Sequence, residues 1–197
     1  MVGPGDFNAD GTADVLLQSG GTVVDWIMKN GQYQSGNVLT TGATGFTVVG
    51  IATRTTNAKE MSGKGVIAGQ WDRFMKEGLL SKIPNKIDSN IVAVYTDYES
   101  DANGAYTFLI GARVRTADVV PSGMVAKRVP AGRYAVFTSE KGFVGKVVPE
   151  TWSRIWAVPK SSPGGSRVYR ADFEVYDERA ADPQNTQVDI YVGIKPD

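Results

Sequence analysis

From Phe46 onward the apolar residues fall into two periods. "FTVVGIATRT" (46–55), "NIVAVYTDY" (90–98) and "AYTFLIGARV" (105–114) are β-branched and aromatic runs bounded by Gly, Asn and Asp, which predicts strands. Between the first two, Val66, Ile67, Trp71, Phe74 and Met75 recur at helical spacing. This predicts a helix over roughly 62–83, with Ser62 as its cap. The same order then returns. "MVAKRVPAGRYAVFTSE" (124–140) reads as a strand, followed by a helix over about 144–158 with Val148, Trp152, Ile155 and Trp156 on one face. Pro149 either starts or kinks that helix. "SRVYRADFEVYD" (166–177) and "QVDIYVGIKPD" (187–197) close the series, as the first pair closes through "ESDANG", which carries the turn-forming Asn103-Gly104.

The recurrence has a register. Trp71 and Trp152, Arg73 and Arg154, Val94 and Val175, Tyr95 and Tyr176, and Asp101 and Asp182 all stand 81 residues apart. Gly111 and Gly193 keep it with one inserted residue. The body of the chain therefore reads as a tandem duplication, with copies at roughly 46–115 and 122–195. The implied fold class is α+β: a βαββ unit twice over, giving a pseudo-twofold antiparallel sheet with two helices.

Residues 1–45 differ in character. They are rich in Gly, Asn, Asp and Thr, and "DFNADGTAD" places Asp6, Asn8, Asp10 and Asp14 around Gly11. Oxygen side chains at alternate positions before a sharp turn suit Ca²⁺, although Leu17 stands where an EF-hand would have its closing Glu. The same residues also serve as a metal-free, Asx-rich turn. "VLLQ" and "TVVDWIM" read as short strands joined at Gly20-Gly21. The expected division is a small β appendage over 1–45 and a larger domain over 46–197. Unpaired strands need a partner, so the appendage is expected to dock on the domain or pair with another chain.

Composition narrows the chemistry. Lys+Arg and Asp+Glu balance at 21 each, which gives no broad basic field for nucleic acid. The chain has no Cys and no His, excluding thiolate nucleophiles, Ser-His-Asp triads and imidazole metal sites. No apolar run is long enough to span a membrane, and the start lacks a secretory pattern, so a cytoplasmic protein is expected.

The duplicated strand–helix–strand–strand order, "WDRF" and "WSRI", "VYTDYESD", "YTFLIGARV", "VPAGRYAVF" and "DFEVY" together resemble the GyrI-like family. These are the effector-binding domains of bacterial transcription activators, found on AraC-type and MerR-type regulators and also free-standing on integron cassettes. The first 45 residues resemble a single FG-GAP/VCBS-type repeat, and they contain no helix-turn-helix pattern. The GyrI-like resemblance implies a central cavity for bulky lipophilic compounds. Glu174, at the Glu of the "FE-x-Y" strand, would meet their positive charge. Tyr95 and Tyr176 would line that cavity.

Without the resemblance, Glu174 reads as an exposed strand residue balanced by Arg170 or Lys127. Its counterpart in the first copy is Ala93. Val92, Val94, Phe173 and Val175 form the apolar face expected to carry the helices, with Glu174 and the tyrosines on the other. Trp71 reads as core. Trp152 and Trp156 suit either core or pocket wall, and Tyr134 is a further wall candidate. The function this implies is a non-catalytic module for cationic or amphipathic aromatic compounds, acting through a separate transcriptional or protein partner. Two alternatives come from relatives: hydrolysis of electrophilic natural products, with Glu174 activating water, and inhibition of gyrase.

Overall fold

Strand β5 (Phe46–Thr55) matches the predicted run residue for residue, and its inward positions Val49 and Ile51 are buried. In this computed structural model the chain is described over residues 3–5, 14–19, 22–29, 32–158 and 166–195, with the strands before residue 44 described by backbone alone. Among the described residues, four strands precede β5: β1 (Gly3–Gly5), β2 (Asp14–Ser19), β3 (Thr22–Lys29) and β4 (Gln32–Ala43). After it come α1 (Asn57–Lys59), α2 (Ile67–Lys76), α3 (Leu79–Lys82), β6 (Ile91–Thr96) and β7 (Tyr106–Val114). The second copy supplies β8 (Val125–Val129), β9 (Gly132–Thr138), α4 (Val144–Ala157), β10 (Arg167–Tyr176) and β11 (Asp189–Ile194). The α+β class and the strand–helix–strand–strand order of both copies are observed, as β5, α2, β6, β7 and as β9, α4, β10, β11.

The chain forms two compact units. One holds residues 1–43, 132–168 and 179–197, and the other holds 44–131 and 169–178. In the first, β2 pairs β1 and β3, β3 pairs β4, β4 pairs β9, and β9 pairs β11, all antiparallel. The amino-terminal strands thus continue a ladder on β9, with Val38 opposite Val136. In the second unit the order is β10–β6–β7–β5–β8, again antiparallel. Its core gathers Val49, Ile51, Phe74, Leu79, Ile83, Phe108 and Ile110.

Three expectations change. The run 124–140 is two strands, because Pro130 has no N–H for a ladder and the strand breaks there. β8 then pairs β5, whereas β9 pairs β4 and β11. The first helix starts at Ile67, and Ser62 does not cap it. Glu60 does that work: its carboxylate accepts from the backbone N–H of Val66 at 3.0 Å and of Ile67 at 3.2 Å, and from the Thr55 hydroxyl. A carboxylate on these orphan N–H groups also suits the positive end of the helix dipole. Pro149 lies inside α4 and does not start it.

The third change concerns faces. Trp71, Phe74, Leu79 and Ile83, from α2 and the α3 region, pack with Ala93, Tyr95 and Tyr176. The helices therefore cover the tyrosine face, not the Val92/Val94 face. Ile91–Val94 is apolar on both sides, so alternation alone could not choose between them. Opposite, Phe46 meets Phe173 edge-on, with ring centroids 5.1 Å apart.

Asp6, Asn8 and Asp10 lie outside the described residues, and Asp14 opens β2. Among the described residues no three acidic side chains gather as a metal site, and no helix is long and apolar enough to cross a membrane.

Candidate functional site

β10 and β6 run antiparallel, with Glu174 directly opposite Ala93, Asp172 opposite Tyr95 and Tyr176 opposite Ile91. Alternation puts Asp172, Glu174 and Tyr176 on one face of β10 and Ile91, Ala93 and Tyr95 on the same face of β6. The two tyrosines occupy diagonal positions on either side of the carboxylate.

Both reach it. Tyr95 donates its hydroxyl to Glu174 Oε1 at 2.8 Å, and Tyr176 donates to Oε2 at 2.7 Å. Glu174 is 1% exposed. Burying a carboxylate costs several kcal/mol. Each hydrogen bond to a charged group returns about 1.5–3 kcal/mol, so the phenol pair offsets much of that cost. The exposed, solvated reading of this residue does not hold.

Burial pushes the Tyr95 and Tyr176 phenols well above the ordinary tyrosine range, and the adjacent Glu174 carboxylate adds to the shift. Both therefore remain protonated donors at neutral pH. Tyr106 is also raised, by burial first and then by Glu60 and Glu174.

The hydroxyls hang on rings that are themselves wedged. Trp71 meets Tyr176 edge-on at 4.7 Å between centroids. Tyr95 lies 5.4 Å from Phe108 and 5.8 Å from Tyr106. Tyr98 adds contacts to Tyr106 and Tyr169, each at 5.6 Å, and donates to the Asp172 carboxylate at 2.7 Å. Asp172 is 0% exposed. One face thus carries two buried carboxyl groups, each with a phenolic donor, among aromatic rings. Strand alternation already placed Asp172 on the Glu174 face, but the sequence did not announce Trp71, Tyr98 or Tyr106 as part of this site. Trp71 had one usable signal, its equivalence to Trp152 in the duplication.

Tyr98 reaches Asp172 because the backbone turns just before it. Asp97 adopts a left-handed φ of 50°. It is held there by Arg54, which donates to its carbonyl at 2.6 Å, and by Lys127 on its carboxylate at 2.7 Å.

Glu174, Tyr95 and Tyr176 are together in the second unit; Trp152, Trp156 and Tyr134 lie in the first. There the two indoles stand 6.2 Å apart on α4, and the Arg167 guanidinium lies 5.6 Å from the Trp152 ring. Trp152 is buried and Trp156 is 44% exposed. Tyr134 is buried on β9, opposite Gly193 of β11.

Comparison with known proteins identifies the family. The model of integron-associated effector-binding proteins matches residues 43–194. The chain belongs to this family. It is 40% identical over 147 residues to YobU of Bacillus subtilis, a protein named for transcriptional regulation; the match covers 74% of this chain and 90% of YobU. Among solved structures, an integron cassette protein from the mobile metagenome of Vibrio cholerae is 28% identical with a TM-score of 0.62, covering 80% of this chain and 97% of that one. The protein SAV2435, solved bound to tetraphenylphosphonium, shares the fold at 19% identity and a TM-score of 0.61, covering 78% of this chain and 91% of its own.

Proposed function

We propose that this effector-binding chain binds lipophilic aromatic cations, with Glu174 reading their charge and Tyr95, Tyr176 and Trp71 forming the aromatic surface around it. The observation that carries the reading is the buried Glu174 carboxylate, held by two phenols among edge-on aromatic rings. A buried carboxylate attracts a cation strongly, because little water screens the pair. Aromatic faces attract the same cation through their quadrupoles. A large, delocalised cation leaves little hydration energy behind, so this surface favours it over a small, strongly hydrated one. A protein of the same fold was solved with such a cation, tetraphenylphosphonium, bound to it.

In the first unit, Trp152 and Trp156 offer a second aromatic surface, and the Arg167 guanidinium at Trp152 illustrates the cation–ring attraction within the chain itself. We assign the output to a separate transcriptional or protein partner, in keeping with the name of the relative YobU.

Isothermal titration with tetraphenylphosphonium and with neutral triphenylphosphine oxide tests this. The reading expects the cation to bind at least about tenfold more tightly, a difference of about 1.4 kcal/mol. Equal affinities would remove the charge reader from the account.

A further inference from the structure

We propose that Met75, on α2, is a further ligand-contact residue, the outer rim of the Glu174 site, where it takes the apolar substituents of a cation seated there. This rests on the reading of Glu174 as the charge reader and extends the site outward from it.

The tandem repeat singles Met75 out. It stands 81 residues before Trp156, in the register that also matches Trp71 with Trp152. Each copy thus places a large apolar residue four positions after its helix tryptophan. Residues four apart are neighbours on one flank of a helix. In the second copy the two indole rings of such a pair stand 6.2 Å apart on α4. Both outer positions face water, Met75 at 61% exposed and Trp156 at 44%.

An exposed methionine by itself calls for no explanation. This one differs from everything beside it on α2. Its exposed neighbours Asp72, Arg73, Lys76 and Glu77 are charged, with Arg73 paired to Glu77 at 3.1 Å and Lys76 to Asp72 at 3.4 Å. Those four form the solvated face. Met75 lies one turn beyond Trp71, and Trp71 leads into the site: its ring meets Tyr176 edge-on at 4.7 Å, and Tyr176 donates to Glu174 at 2.7 Å. Trp71 is itself half-buried, so one apolar flank runs from the covered indole to the open thioether.

A bulky cation with its charge near Glu174 carries substituents that extend past Trp71 along this flank. Methionine suits that place, because its unbranched, polarizable side chain adapts to different shapes and favours the edges of aromatic rings. Apolar surface covered there adds affinity in proportion to its area. Glu174 then sets the response to charge, and Met75 sets how much a bulky substituent adds.

Wild-type chain carrying isotope-labelled methionine methyl groups is titrated with tetraphenylphosphonium and followed by NMR. Met61, 70% exposed in the segment before α2, is the internal control. The Met75 resonance, assigned with Met75→Gln, is expected to move saturably under the ring currents of the phenyl groups while that of Met61 stays in place. By calorimetry, Met75→Gln should raise Kd about threefold or more, and Met75→Trp, which copies Trp156, should lower it about twofold or more. Met61→Gln should leave Kd unchanged. A Met75 resonance that does not move, a Met61 resonance that moves as far, or an unchanged Kd in both Met75 variants overturns the proposal. No binding by the wild type, or binding indifferent to Glu174→Gln, is a distinct result: it removes the reading of Glu174, and the rim falls with it.

Discussion

Glu174 stands directly opposite Ala93 across the β6–β10 pair, and these two residues are also equivalent positions of the tandem repeat. When a residue faces its own repeat equivalent in an antiparallel pair, a local twofold axis passes between them. Tyr95 and Tyr176 each lie two residues beyond that point, so they approach from opposite sides. Symmetry supplies two phenols, and the departure from symmetry at Glu174/Ala93 supplies the carboxylate between them.

A second carboxylate at the axis should be intolerable. Ala93 is 0% exposed, so Ala93→Glu places a like charge beside Glu174 and forces extra volume into a filled core. The expected loss is at least about 2 kcal/mol in urea unfolding. Ala93→Gln, which adds similar volume without charge, should lose less. Equal losses for the two would mean that packing alone governs the position.

High pH should unfold the protein through its site. Folded-state phenol ionisation is raised at Tyr95, Tyr106 and Tyr176. The stability this gives is fully present below the unfolded tyrosine value of ~10, and it is lost as pH rises above that value. Absorbance at 295 nm should show these three of the 8 tyrosines ionising only as the chain unfolds. Tyr95→Phe/Tyr176→Phe should flatten the alkaline fall in thermal midpoint. Early ionisation of all the tyrosines in the folded chain would contradict the burial described here.

Trp71 should report occupancy. Its ring touches Tyr176, one hydrogen bond from Glu174, and packs on the core of the second unit. Trp71→Phe should keep an aromatic partner and lose about 0.5–1.5 kcal/mol or less. It should also remove a large share of the tryptophan quenching that a cationic dye produces. Undiminished quenching would place the dye away from this ring.

Much of this was legible in the sequence, for identifiable reasons. β5 and α4 came from strong local periodicity, 46–55 and 144–157. The 81-residue register carried more than a repeat boundary, since it already matched Glu174 with Ala93. The rest depends on contacts between distant parts of the chain. Nothing in "GQYQSGNVLTTGA" announces that β4 pairs β9. The helix-bearing face could not be read from Ile91–Val94, where both sides are apolar. Tyr98 enters the site only because Asp97 turns the backbone through a left-handed φ, a conformation that an Asp tolerates but does not dictate.

Titration of tetraphenylphosphonium into wild-type chain and Glu174→Gln tests the central claim most directly. The amide keeps the side chain's shape and an acceptor for one of the two phenols, while it removes the charge and puts an NH2 donor in place of the other acceptor. The account predicts that Kd rises about tenfold or more while neutral triphenylphosphine oxide is bound as before. A variant that binds the cation as tightly as the wild type would contradict it.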